Sequence, residues 1–301
     1  MNQNSNKPPM KDKCLPPSLI KRMSALIQSY PLIKSLYLIG VTEIRQEIGY
    51  FVPDCQKENK EARYEVFILV VSEVSLGDPL KFRKAIEAEI GENVDILSMH
   101  YTCMEFERGI IVDPFITQVA TEENRLFSAI DWEVPRAGLS VSPDEHIREW
   151  ESRITKAVFI YHRASDNDGE NDEMARMALI GQCLLQGSCA LVWSHWQWKP
   201  LNLDLDLLLK LSKCFSPIPD IILPKGSFLS KRMYHLLIQS RFNVLHNTEP
   251  LVSANECNHA HKLAGKYLGH VISFGEKVIR SMGEENYTSP VELKSYKFLD
   301  E

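Results

Sequence analysis

Seven cysteines, at 14, 55, 103, 183, 189, 214 and 257, never form a Cys-x-x-Cys pair. Scattered and odd in number, they define neither a disulfide framework nor a zinc ribbon, and reduced thiols in a cytoplasm are the reading that remains. No stretch of about 18 apolar residues runs unbroken, so no membrane span is expected. Residues 1–17 are polar, with Lys7, Lys11 and Lys13, and lack the apolar segment of a secretory signal. Gly-x-Ser-x-Gly and the Walker phosphate loop are absent too. Nor is there an excess of positive charge: 34 Lys and Arg against 40 Asp and Glu leave a net charge of −6. That balance excludes a whole-surface grip on nucleic acid and leaves room only for a local basic patch.

What is present is enough for two globular domains in 301 residues, 44% of them hydrophobic and 25% charged. Residues 18–29 have helical spacing (Leu19, Ile20, Met23, Leu26, Ile27). Residues 36–41 are a short apolar run ended by Gly40, and they predict a buried strand. The polar stretch 42–62 reads as a long connection. Residues 64–71 are apolar beyond Glu65, as a central strand covered on both faces would be. Asp78-Pro79 then opens a helix carrying Phe82, Ala85, Ile86 and Ile90, with Gly91 as its stop. Strands are expected at 94–99 and, as an edge, at 115–119. This is an α/β domain over 18–128.

From 129 to 142 the chain reads as a linker punctuated by Pro135 and Gly138. Beyond it only helical periodicity remains. Ser142-Pro143-Asp144-Glu145 and Ser253-Ala254-Asn255-Glu256 are capping boxes. They open helices through Trp150 to Tyr161 and from residue 254 to about 282. Three further helices are expected near 174–193, 203–214 and 228–245, with an acidic loop at 166–172. Five helices make a bundle over 143–282, followed by an acidic tail at 283–301. The fold class is therefore α+β: a small mixed-sheet domain, then an all-α bundle.

The sheet domain resembles small nucleotidyltransferases over about 35–125. These place a Gly-Ser turn after the first strand and carboxylates on the next two, so that alternate strand positions hold metal ions against a nucleotide's phosphates. Here Gly40 stands at the turn with Val41 in place of Ser. Glu65 has Phe67 instead of a second carboxylate two residues on, and Asp95 matches the carboxylate of the following strand. The resemblance implies a degenerate domain whose nucleotide surface would lie at Gly40, Glu65 and Asp95. It implies Mg²⁺ only if that site is active, and no cofactor otherwise. The bland alternative makes Glu65 a strand-end surface residue and Asp95 a polar position beside the sheet.

Residues 202–217 and 231–247 resemble the third and fourth helices of HEPN domains, and the whole order resembles nucleotidyltransferase–HEPN fusions. HEPN ribonucleases carry Arg-x(4–6)-His, which here is Arg241 to His246. His would carry the proton, and Arg would meet the charge developing on phosphate. The resemblance implies dimerisation through the helical domain, with nucleotide or RNA as ligand and no membrane partner. The competing reading puts Arg241 at the surface and His246 at a helix end. Three functions follow: a non-catalytic, regulatory nucleotide- or RNA-binding protein, which leads; a metal-independent endoribonuclease using Arg241 and His246; and a residual nucleotidyltransferase using Glu65 and Asp95. Trp193, His195, Trp196 and Trp198 are expected to pack in a core, and His259 and His261, two apart on a helix, to diverge. The helical glycines 181, 187, 265, 269 and 275 are expected to mark close helix contacts.

Overall fold

The computed structural model describes residues 17–44, 63–75, 79–90, 94–134, 139–165, 172–200, 204–223, 227–246, 252–291 and 293. The leader, most of the 42–62 connection, the Asp78 cap, the Gly91 stop, the acidic loop at 166–171 and most of the tail lie outside these residues. The chain is α+β and divides into two compact units, Met1–Ala137 and Gly138–Glu301; the division falls within the stretch read as a linker.

The first unit runs α1 (Pro17–Gln28), β1 (Ile33–Ile44), β2 (Arg63–Ser72), α2 (Pro79–Ile90), β3 (Val94–Thr102), α3 (Cys103–Val112), α4 (Pro114–Val119) and β4 (Arg125–Ser128). Its four-stranded sheet has the order β3-β2-β1-β4. β1 pairs antiparallel with β2 and β4, and β2 pairs parallel with β3. The continuously apolar β2 takes an inner position, and Val66 to Val71 are buried on both faces. Val66, Ile68 and Val70 face a core that includes Met23 and Ile27 of α1 and Phe82 and Ile86 of α2. On the other side Tyr37 stacks on Phe106 of α3 at 5.6 Å.

Two expectations are corrected here. Residues 115–119 are a helix, not an edge strand, because the Asp113 side chain caps it by accepting from Phe115 N at 2.9 Å and Pro114 pre-sets its first turn. The edge strand is β4, ten residues later. The linker also begins later than residue 129: Trp132 Nε1 donates to Ser35 Oγ at 2.6 Å and its ring meets Phe106 edge-on, which ties this stretch to the sheet unit.

The second unit is a helical bundle: α5 (Pro143–Arg163), α6 (Glu173–Trp196), α7 (Leu205–Ser212), α8 (Ile218–Ile222), α9 (Phe228–His246) and α10 (Ala254–Ser281). Both expected caps form: Ser142 accepts from Glu145 N, and Ser253 with Glu256 makes a reciprocal box. α6 sits at the centre, packed by α5, α7, α9 and α10. It is long and apolar enough to cross a bilayer, yet 78% of its most apolar window is buried inside the protein. Glycine sets two of these approaches. A Cβ on Gly275 would run into the Trp150 indole of α5. One on Gly181 of α6 would lie 2.8 Å from Leu237 O of α9 and closer still to Ser240 Oγ.

Candidate functional site

Gly40 is not at a turn. It lies inside β1, paired with Phe67, immediately after a bulge: Leu38 pairs with Ile68 and Gly40 with Phe67, so Ile39 is the extra residue. A bulge shifts every following side chain to the opposite face. Val41 thereby joins the α1/α2 core, and Thr42 turns to the side that carries Glu65. The sequence reading mistook this glycine for the end of a strand because a bulge leaves no mark in composition.

The same register aligns Thr42 with Glu65 and Glu65 with Asp95 across three strands. Ladder neighbours share a face roughly 5 Å apart, so both expected carboxylates stand side by side. Glu65 is not the surface residue of the bland alternative; it is only 6% exposed. Its carboxylate accepts from Thr42 Oγ1 at 3.3 Å, and Asp95 is also engaged. Among the described residues no group of three or more His, Cys, Asp or Glu could hold a metal. Two carboxylates, one of them enclosed, with no hydroxyl-bearing turn beside them, do not fit a two-metal clamp for phosphates.

Arg241 and His246 both lie exposed on the last turns of α9. Five residues on an α-helix separate them by about 140°, so one protomer does not bring them onto one face. His246 rests instead against Phe242, with ring centroids 4.2 Å apart. Arg241 lines an open groove of about 410 Å³ between α6, the start of α7 and α9. Buried Leu185, Leu205 and Leu237 form its apolar floor. Gln182, Asp204, Gln239 and Phe242 also border it.

The polar groups of this groove are poorly matched within the chain. Among the described residues no hydrogen bond or ion pair engages the side chains of Gln182, Gln239 or Arg241. Asp204 caps α7 through Oδ1, which accepts from Asp206 N at 2.9 Å and Leu207 N at 3.4 Å, and no described residue engages Oδ2. Phe242 is 51% exposed. The helix beneath them carries Lys231, Arg232 and Arg241 and no acidic residue in 19 positions, a local basic element in a chain of net charge −6. Of its three cations, Arg232 is neutralised by Glu256 at 2.6 Å.

The remaining candidates resolve as packing. Trp193, Trp196 and Trp198 are buried, and His195 stacks on Phe215 at 4.1 Å. His259 is exposed, whereas His261 is buried, stacked on Tyr161 with its Nε2 3.0 Å from Tyr161 O. Burial holds the His261 pKa below its usual value. His146 is the most enclosed imidazole: it is fully buried, and neither ring nitrogen has a partner. It stacks near Trp193 at 5.7 Å, and burial brings its pKa down to about 4. The sequence reading missed Gln182, Asp204, Gln239 and Phe242 as groove residues; the acid-free composition of α9 was the one available signal.

No protein-family model matches this sequence, and no curated protein matches it.

Proposed function

We propose that the chain is a non-catalytic, regulatory RNA- or nucleotide-binding protein of the nucleotidyltransferase–HEPN kind, with its ligand surface on the helical unit. The observation that carries this reading is Arg241: an exposed guanidinium that no described residue pairs with, at the edge of an apolar groove, on a helix with no acidic residue. A cation that no described residue pairs, beside an exposed aromatic ring and half-buried amides, suits a phosphate-bearing ligand, the guanidinium taking phosphate and the apolar wall taking a base. The order of a mixed sheet followed by a helical bundle supports the family. The enclosed Glu65 and the mid-strand Gly40 support a degenerate first domain. A cytoplasmic place belongs to the same reading. So does a homodimer formed by the helical unit, supported by exposed Ile221, Phe228 and Leu229 around the start of α9.

A metal-independent endoribonuclease is the second reading. In it His246 exchanges the proton of the attacking ribose hydroxyl, and Arg241 stabilises the phosphate as its charge grows. The angular separation of the two residues means that this reading needs a second copy to complete the site. A residual nucleotidyltransferase at Glu65 and Asp95 draws only on their adjacency in the sheet. One experiment separates the first two: single-stranded RNA incubated with the protein in EDTA, followed both for binding and for cleavage. Binding without cleavage is the expected result. Cleavage that disappears in His246→Ala would replace it with the ribonuclease.

A further inference from the structure

We propose that the α6–α7–α9 groove receives a single unstacked nucleobase bearing an exocyclic amino group, so that the protein selects single-stranded RNA rich in adenine, cytosine or guanine over uracil and over duplex. The inference rests on the preceding reading that the ligand is RNA or nucleotide, and it identifies which part of that ligand the groove holds.

The size comes first. A space of about 410 Å³ matches the size of one nucleotide rather than that of a base pair with its two backbones. The floor of Leu185 and Leu205 is apolar, so an inserted base loses little by leaving water provided that its polar edge is met. Phe242 supplies an exposed ring at the wall, backed by His246 at 4.2 Å. A ring supported from behind gives a base a flat surface without having to be ordered first.

The edge of the base is met by groups that no other described residue engages. Gln182 and Gln239 offer amides that both donate and accept. Asp204 Oδ2 can only accept, and its neighbour Oδ1 is already committed to capping α7. The open position therefore calls for one N–H donor. Adenine, cytosine and guanine offer an exocyclic amino group at the outer edge; uracil carries carbonyl oxygens there, and its one ring N–H lies between them, so its approach brings those oxygens against the carboxylate. Arg241 stands where the sugar–phosphate chain leaves the groove and takes the phosphate.

A second copy of the chain is a weaker occupant. An isologous contact through this face would set one acid-free α9 against another, Arg241 near Arg241, with Asp204 as the one groove carboxylate available to both.

The test is fluorescence anisotropy with end-labelled oligoadenylate, oligocytidylate, oligouridylate and an RNA duplex, run on the full chain alongside its sedimentation. The expected order is A and C well above U, with duplex weakest. Phe242→Ala, an exposed position that the fold tolerates, should weaken single-strand binding about 5- to 100-fold. Arg241→Ala should lower the slope of log affinity against log salt by about 0.7. Lys231→Ala removes the same charge about 15 Å up the helix and should not affect base preference. Asp204→Asn keeps the cap, since Asn serves that position equally well, and should abolish the preference over U. Equal binding of all bases and duplex, indifferent to Phe242→Ala, would overturn the base pocket while leaving an RNA-binding protein. No RNA bound at all would remove both ideas. Loss of a dimer in Phe242→Ala or Arg241→Ala would make the groove a self-contact and overturn the proposal.

Discussion

The two units treat their polar residues in opposite ways. In the sheet unit, Thr42, Glu65 and Asp95 stand in one row, and the row is closed on itself: the Glu65 carboxylate is buried and takes a bond from Thr42. In the helical unit, Gln182, Gln239, Arg241 and one oxygen of Asp204 border a groove in which no described residue binds them. Closure in the first case stabilises the fold. Openness in the second leaves hydrogen-bonding capacity that water fills in the free protein and a ligand can claim. A ligand surface is therefore not required to lie where a fold resemblance would put it.

Changes that separate stability from binding sharpen this contrast, and the largest effect should come from pH. His146 is buried, unpartnered and held at a pKa of about 4 against an ordinary 6.5. Below 6.5 the unfolded chain takes up a proton that the folded chain refuses. The stability present above that value should therefore fall by roughly 3 kcal/mol on acidification to pH 4. Urea unfolding at pH 7 and pH 4.5 measures it, and His146→Phe should flatten this dependence; an unchanged profile would mean that the imidazole is not enclosed. Next, Gly181→Ala should cost about 1–3 kcal/mol by pushing α6 from Ser240 and Leu237 of α9, and it should weaken RNA binding because it deforms the groove wall.

Smaller effects decide the comparison itself. Glu65→Ala should lose about 1 kcal/mol by leaving the Thr42 hydroxyl unpaired and leave RNA affinity where it was. Altered affinity would restore the sheet unit as the ligand site. Arg241→Ala should be the reverse, within about 0.5 kcal/mol of the parent in stability and clearly weaker for RNA. A substantial loss of stability there would mean that the guanidinium has a structural partner.

The elements that carry strong local signals were legible. The apolar run of β2, Ser142 and Ser253 as caps, and the spacing of Trp150, Ile154, Val158 and Tyr161 each determine their structure with little help from distant residues. Gly40 and residues 115–119 were not legible. A bulge depends on which partner residues the strand meets, and a five-residue segment such as 115–119 reads equally as strand or helix until Asp113 and Pro114 are weighed. For the candidate sites the division is similar. The adjacency of Glu65 and Asp95 needed a strand register, and the groove needed residues 182, 204 and 239 brought together from three helices. Arg241 was found by its motif spacing, but nothing in that motif marks its neighbour Phe242, which borders the groove.

The central position of α6 has a consequence for synthesis. Its apolar sides are covered by α5, which precedes it, and by α7, α9 and α10, which follow; α10 begins at Ala254 and α6 ends at Trp196. At a translation rate of about 5–20 residues per second, a helix with the hydropathy of a membrane segment stays partly uncovered for several seconds while its last partner is made. During that interval the nascent chain presents a surface that a ribosome-associated chaperone or a membrane-targeting factor would recognise. Arrival of the C-terminal helix, rather than completion of α6, is then the event that commits the bundle to water.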